Sequence, residues 1–385
     1  MTATALLDGV RVIESAALVS GAATGMLLGD LGADVVKVEN PRGDLLRHSL
    51  GQIVPGFSPA HLQLNRNKRS VTADLRSDEG RAMLSALLTS ADVLIDGNAV
   101  GTLSRLGFGA EQLRTLNPRL VYCSVSGYGS GGPYGSLPTH GLMMSALVGA
   151  VSAVPGEQPT SGRGEGPLAA ANSAALHIVS ALYRRSVTGL GSHIDVSGAD
   201  ALLLQTMLVS AYELNRDRIG DAGSLPLPEN GFLGPRYRLY DTADGYGIAF
   251  TALEEKFWRA FCAAVARPDL LHGTDDDTLA GDLGRLFASR NLDEWMDLAL
   301  EHRLPLGPAY HAMGDVAADR HIEARAIVRR TEHPVAGPFT CVGTPALVDG
   351  QEFSIRRHAP ALGEHTAEVL AELESGERNL STSRP

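Results

Sequence analysis

The sequence predicts an α/β fold in two domains, and three observations carry the prediction. The chain has 385 residues, longer than the size at which one core usually stops growing. Its first 125 residues alternate short apolar, β-branched runs with stretches of helical period, the pattern of βαβ units on a parallel sheet. Residues 215–237, dense in Gly, Pro and Asp, then interrupt that pattern and read as a linker or crossing loop.

The elements follow in order. "GVRVIES" (9–15) reads as a buried strand, "AATGMLLGDLGA" (22–33) as a helix and "DVVKVEN" (34–40) as a second strand. "SVTADL" (70–75) is a fourth short element. "SDEGRAMLSALLTSA" (77–91) is a helix with Ser77 at its N-cap, because a hydroxyl there can accept from an unpaired amide of the first turn. "DVLIDGN" (92–98) and "RLVYCSVSG" (119–127) are further strands. Ligands of such sheets bind at the carboxyl ends of the strands, so the loops 15–21, 40–47, 96–104 and 126–141 share one functional edge. A long helix is expected over about 168–186, then a short strand at "HIDVS" and an uninterrupted helix to 214. Residues 238–253 read as two strands around Asp244-Gly245. Helical patterns run from 254 to about 326, and "APALGEHTAEVLAELE" (359–374) is a last helix before a polar tail expected to be disordered.

Composition excludes several function classes. A net charge of −11 argues against general nucleic-acid binding, although local cations can still hold an anionic ligand. No apolar run approaches the roughly 18 residues a spanning helix needs, and the N-terminus lacks a basic, apolar leader pattern. A soluble, cytoplasmic protein is expected, with no membrane partner. Cys123, Cys262 and Cys341 share no metal-type spacing and read as reduced structural thiols, and no metal is expected.

Six strings then add up to something specific: "LLDGVRVIE", "GDLGADVVKVENPRGDLLR", "NRNKRSVTADLRSDEGR", "LNPRLVYCSVSGYGSGGPY", "TGLGSHIDVS" and "APALGEHTAEVL". Together, and over nearly the whole chain, they resemble the family III CoA-transferases, a superfamily that includes the α-methylacyl-CoA racemases. The resemblance implies a Rossmann-like large domain built from both chain ends, 1–214 with 330–385, and a smaller α+β domain near 225–325. It also implies an interlaced dimer, with itself or with a homologous subunit, and coenzyme A, as an acyl-CoA, for substrate.

CoA carries three phosphates, so its site needs cations and amide donors. The cations on the expected edge are Lys37, Arg42 and Arg47, then Arg66, Lys68 and Arg69, then Arg105. Arg105 matches a phosphate-binding arginine of the family and the others match by motif. The plainer alternative is a set of solvated surface charges. The family's "E-N-[FY]-x-P-G" turn along the pantetheine is here "DGNAVG" (96–101), which keeps the acid and the last glycine only. Val19 stands where the formyl-CoA transferase subgroup has a glutamine, which speaks against formyl or oxalyl chemistry.

The nucleophilic aspartate of the transferases would attack the thioester and form an anhydride. It falls here within "GEGPLAAANSAALHIVSAL" (164–182), where alignment places Gly166, Pro167 or Ala170 and never an aspartate. Glu165, expected in a flexible Gly-rich loop, is the nearest acid and reads more plainly as a solvated carboxylate. His140 matches the histidine of the racemase "G-H-D" string, with Gly141 in place of the acid. An imidazole suits abstraction of a thioester α-proton near neutral pH; the alternative is a histidine satisfied by a carbonyl at a helix start. Glu254, in "TALEEKF", matches a racemase glutamate, or else is an acid favoured by a helix N-terminus. The function expected is CoA transfer between an acyl-CoA and a carboxylic acid, with a partner subunit supplying the missing nucleophile. The alternatives are racemisation through His140 and acyl-CoA binding without catalysis.

Overall fold

The computed structural model describes residues 5–151, 164–220, 233–272, 275–351 and 353–375. The chain divides into two compact units: Met1–Leu214 with Ala326–Pro385, and Asn215–Arg325.

The first unit is built on a parallel sheet of six strands: β1 (Arg11–Ala16), β2 (Asp34–Glu39), β3 (Lys68–Thr72), β4 (Val93–Gly97), β5 (Val121–Ser126) and β6 (Ser192–Ser197). Their order is β3-β2-β1-β4-β5-β6, so the direction of winding reverses between β1 and β4. The helices are α1 (Val19–Asp30), α2 (Pro59–Leu64), α3 (Asp78–Thr89), α4 (Thr102–Arg105), α5 (Ala110–Leu116), α6 (Gly141–Leu147), α7 (Glu165–Thr188), α8 (Gly198–Gln205) and α9 (Met207–Glu213). Alternation along the strands feeds two apolar layers. Val12, Ile95, Val121 and Cys123 pack with Leu28 of α1 and Ala174 and Ile178 of α7. Ile13, Val36 and Leu94 pack on the other face with Leu84 and Leu87 of α3. Ser77 caps α3 as expected, its hydroxyl accepting from Gly80 N at 3.0 Å.

The second unit contains the antiparallel strands β7 (Tyr237–Asp241), β8 (Gly247–Thr251) and β9 (Leu306–Ala309), with α10 (Glu255–Ala264), α11 (Asp276–Phe287), α12 (Leu292–His302), α13 (Met313–Ala318) and α14 (Arg320–Arg325). Phe250, Trp258, Phe261, Phe287 and Trp295 fill its core. The chain then re-enters the first unit through the hairpin β10 (Val328–His333) and β11 (Gly337–Val342) and ends in α15 (Thr366–Ser375). The return is sealed by charge. Arg69 on β3 binds Asp34 and reaches Glu368 and Glu372 of α15, and Arg11 also binds Glu372.

Four elements differ from the sequence pattern. The helix expected through 214 breaks at Thr206, whose hydroxyl donates to Leu203 O at 3.0 Å and competes with the regular ladder. The helical stretch expected to 326 contains strand β9, which tolerates Pro308 because it is an edge strand. The hairpin at 328–342 carries no strong alternation and was not expected. The last helix starts at Thr366 rather than near 359, after Gly363 at φ 69°. Part of the expected linker (221–232) and most of the tail (376–385) lie outside the described residues.

Charge is buried between α1 and the sheet. Glu14 on β1 is fully buried, and its two oxygens pair with Lys37 and Lys68, each at 2.7 Å. Gly25 of α1 passes directly over this carboxylate: a Cβ there would lie 2.0 Å from Glu14 Oε2. Gly25→Ala should therefore lower the unfolding free energy by at least about 2 kcal/mol, read from the urea midpoint, because the carboxylate is tied on both sides and cannot step aside.

The C-terminal return is also held by a neutral imidazole. His61 is buried, its Nδ1 accepting from the Asn65 amide at 3.0 Å and its Nε2 donating to Pro360 O at 3.0 Å. Burial, and then the neighbouring Arg47 guanidinium, push its pKa down to about 3. The unfolded chain takes up a proton near the ordinary histidine value of 6.5, whereas the folded chain does not until about pH 3. Stability should accordingly be full above 6.5 and fall as pH drops through that window. Between pH 7 and pH 5 the loss from this imidazole is about 2 kcal/mol, and His61→Gln should flatten the urea-midpoint profile there.

Candidate functional site

The winding of the sheet reverses between β1 and β4, and ligands of this topology usually bind beside such a reversal, in the crevice outside the carboxyl ends of the strands. Four connections border that edge: 17–18 between β1 and α1, 40–44 after β2, 98–101 after β4, and 127–140 between β5 and α6. The crevice floor is tightly closed. A Cβ on Gly21 would lie 2.3 Å, and one on Gly97 2.7 Å, from Ala16 Cβ, so only glycine lets α1 and β4 approach β1 this closely. Asn98 ties the two strands across the reversal, donating to Ser15 O at 2.8 Å and to Asp96 Oδ1 at 2.9 Å.

The β1–α1 connection is the most constrained part of the edge. Lys37 Nζ donates to Glu14 Oε1 at 2.7 Å and to Ala16 O at 3.0 Å, and pairs in charge with Asp44 Oδ2 at 2.9 Å. Lys68 Nζ donates to Ala22 O at 2.8 Å and to Asn65 Oδ1 at 3.1 Å, and pairs in charge with Glu14 Oε2 at 2.7 Å. Arg47 adds a two-pronged pair with Glu39, at 2.9 and 2.6 Å. Three carboxylates thus face three cations in a buried, neutral cluster. Burial pulls the Lys37 ammonium down, but Glu14, Asp44 and Glu39 outweigh it and hold it above the usual lysine range. For Lys68 burial wins over Glu14, and its pKa falls to about 8. Burial raises the Glu39 carboxyl, yet the Arg47 hydrogen bonds and the nearby Lys37 bring it to about 2.

Five of the seven cations expected at the phosphates already have carboxylate partners. Lys37, Arg47, Arg66, Lys68 and Arg69 are all buried and committed to carboxylates. Arg66 binds Asp30 through Nε and Nη2, donates to Gln63 O and covers the Phe353 ring at 4.8 Å. Lys37, Lys68 and Arg69 lie within strands, where the pleat turns them into the layers under α1 and α15 rather than toward the rim. Arg42, after β2, and Arg105, at the end of α4, are exposed on the carboxyl edge. The Arg105 guanidinium touches Thr102 Oγ1 at 3.1 Å.

His140 is exposed at the N-cap position of α6, with extended backbone (φ −128°, ψ 165°) and no capping bond from its ring. Its own carbonyl accepts from Met143 N at 2.9 Å. Glu254 is likewise exposed at the N-cap position of α10 without a side-chain cap, but it belongs to the second unit. Glu165 lies in the first turn of α7, not in a loop, and its carboxylate accepts from Gly164 N at 3.0 Å. The three positions aligned with the transferase nucleophile are buried. A Cβ on Gly166 would meet Met144 Cβ and Sδ at 2.9 Å, and Ala170 is enclosed in the apolar layer under β5 and β6. An aspartate at 166 has no room, and one at 170 would be a buried, unpaired charge.

Two features of the edge carry no sequence signal. The first is the backbone of Leu18 (φ 65°, ψ −159°), a region occupied almost only by glycine. The second is the polar face shared by β4, β5 and β6. There Tyr122 donates to Asp96 Oδ2 at 3.0 Å and stacks on His193 at 4.6 Å, and burial pushes the Asp96 carboxyl up. Among the described residues no helix is long and apolar enough to cross a membrane, and no cluster of three or more His, Cys, Asp or Glu could hold a metal.

Comparison with known proteins agrees with this geometry. The sequence profile of CoA-transferase family III matches residues 7–366. A succinyl-CoA:mesaconate CoA-transferase of Haloarcula hispanica is 32% identical, over 95% of this chain and 96% of the relative. A formyl-CoA:oxalate CoA-transferase of Rhodopseudomonas palustris is 29% identical over 96% and 93%, respectively. The crystal structure of a CAIB/BAIF family protein from Brucella suis superposes with a TM-score of 0.78 at 27% identity, covering 96% of this chain and all of that one. A reversed-winding parallel sheet rimmed by glycine-tight loops, matched by one profile along almost its entire length, identifies this chain as a member of CoA-transferase family III.

Proposed function

We propose that this chain moves CoA between an acyl-CoA and a carboxylic acid as one of two homologous subunits, the other supplying the nucleophilic carboxylate. The observation that carries this reading is the packing at residues 166, 167 and 170, where a glycine, a proline and an alanine occupy the aligned positions of the nucleophile. The names of the relatives support the reaction class, since they act on CoA thioesters and carboxylates. Exposed apolar side chains support a subunit partner. Leu204, Met207, Leu208, Val209 and Leu214 are each more than half exposed, and α9 buries none of its residues. A patch of this kind on one chain calls for another surface to cover it.

In this reading the partner's carboxylate oxygen attacks the thioester carbonyl carbon. The C–S bond breaks, CoA leaves as thiolate, and a mixed anhydride forms. The thiolate then attacks the enzyme-side carbonyl of that anhydride, releasing the donor carboxylate and leaving an enzyme thioester. The acceptor carboxylate attacks that thioester to expel CoA again, and the thiolate finally takes the acceptor's acyl carbon and frees the enzyme carboxylate. The chain itself binds the CoA phosphates through Arg42 and Arg105 and presents His140 at the thioester end. Arg42→Ala and Arg105→Ala should each weaken acetyl-CoA binding by about tenfold in calorimetry, with a reduced salt dependence, as loss of a charge-assisted phosphate contact does.

The subunit reading is tested by turnover. The purified chain alone should transfer no CoA from succinyl-CoA to a carboxylic acid, and co-expression with a homologue that carries the aspartate should restore transfer. Robust transfer by the chain alone, with an acyl group trapped on it, overturns the reading. A second reading, α-proton transfer in a 2-methylacyl-CoA, is favoured by the exposed ring of His140 at the carboxyl edge. It predicts solvent deuterium incorporation that is lost in His140→Ala. Acyl-CoA binding with no turnover in any pairing would leave the non-catalytic alternative.

A further inference from the structure

The connection between β1 and α1 is tied at three successive points by groups that reach it from elsewhere in the sequence. Lys37 holds Ala16 O, Asp44 Oδ1 accepts from Leu18 N at 3.2 Å, and Lys68 holds Ala22 O. The same Glu14 carboxylate locks both lysines from below. Between these ties stands Leu18, a branched residue in a glycine-only backbone conformation. Such a conformation costs about 1–3 kcal/mol and persists only where the surroundings over-determine it. A fold that needed only a turn here would be served better by glycine. The turn also lies at the reversal of winding between β1 and β4, bordering the crevice described above.

We infer that Lys37, Lys68 and Asp44 are positioning residues that hold Leu18 in a strained, ligand-ready shape at the rim of the crevice. The inference rests on the reading that this rim takes a CoA ester. The cluster touches no ligand itself. It acts through the backbone of residues 16–22, whose shape it presets so that the cost of ordering is met on folding rather than on binding. The groups facing Lys68 are Glu14 from β1, Lys37 from β2, Asp44 from the following loop and Asn65 from the end of α2; α1 presents only Ala22 O and Gly25. Loss of the Lys68 proton would leave two N–H donors among Ala22 O, Asn65 Oδ1 and Glu14 Oε2 and remove the charge that faces Glu14, loosening the hold on the turn, and the lowered pKa brings that loss within reach of mildly alkaline solution.

Two measurements with acetyl-CoA, which has no titrating thiol, test the inference. In Leu18→Gly the strain is relieved and the turn is free to sample other shapes. The melting temperature should stay the same or rise, while the calorimetric Kd for acetyl-CoA weakens by about tenfold or more as the competent fraction falls. In the wild type the affinity should decline above about pH 8, and Lys68→Arg, which keeps its charge, should remove that decline. A merely structural cluster gives the opposite pattern, with Leu18→Gly binding as tightly as wild type. That result, or an alkaline decline unchanged in Lys68→Arg, overturns the positioning role. Absence of acetyl-CoA binding by the wild type at every pH instead defeats the reading of the rim as a CoA-ester site, and the inference falls with it.

Discussion

The structure of the first unit turns on one carboxylate. Glu14 sits at zero exposure beneath α1 and bridges two lysines contributed by two neighbouring strands. Its charge is tolerable because each oxygen lies 2.7 Å from an ammonium group, and those two groups also donate to Ala16 O, Ala22 O and Asn65 Oδ1. That single requirement explains why α1 carries a glycine at 25 and why β2 and β3 each carry a lysine where an apolar residue would be ordinary. It also explains why the loop after β2 folds back to bring Asp44 under the β1–α1 turn. The β1–α1 turn is thus tied to β2, β3 and the loop after β2 by one electrostatic knot.

A second consequence concerns the way the chain closes on itself. The N-terminal sheet would end on an open β3 edge, with Arg69 and Ser70 facing solvent. The C-terminal return covers it, giving Arg69 its carboxylates from α15 and Ser70 its contacts with His365 and Gly363. The seam combines imidazole-to-carbonyl hydrogen bonds and closed ion pairs with an apolar contact of Phe57 and Leu62 against Ala336 and Ala359. Burial lowers the pKa of His358 and His365 as it does that of His61, which keeps the seam uncharged at neutral pH. The aromatic residues of the chain serve a separate purpose, concentrated in the core of the second unit around Phe261 and Trp295.

The candidate site departs from the family pattern in a coherent way. Where a nucleophilic carboxylate is expected, the start of α7 packs against Met144 of α6 and leaves no cavity for one. The rim nevertheless keeps its architecture, with Arg42, Arg105 and His140 exposed on connections at the carboxyl edge.

Much of the fold was legible in the sequence because period and length are local properties. The alternation in "DVVKVEN", the cap at Ser77 and the apolar face of 77–91 each require only their own residues to be read. Family membership was equally legible, since it rests on strings spread along the whole chain. The roles of the charged residues were not. A lysine in "VVKVE" looks the same whether its ammonium meets a phosphate or Glu14, because the partner is 23 residues away and is brought to it by strand pairing. Thr206 breaks a helix that propensity would continue, and Leu18 adopts a conformation that no leucine advertises. Sequence alone determined the alternating strands and helices of the parallel sheet, the order in which the chain presents them and the family to which they belong. Tertiary structure decided which cations are spent inside and which remain at the rim, because burial and pairing depend on distances that only the closed sheet creates.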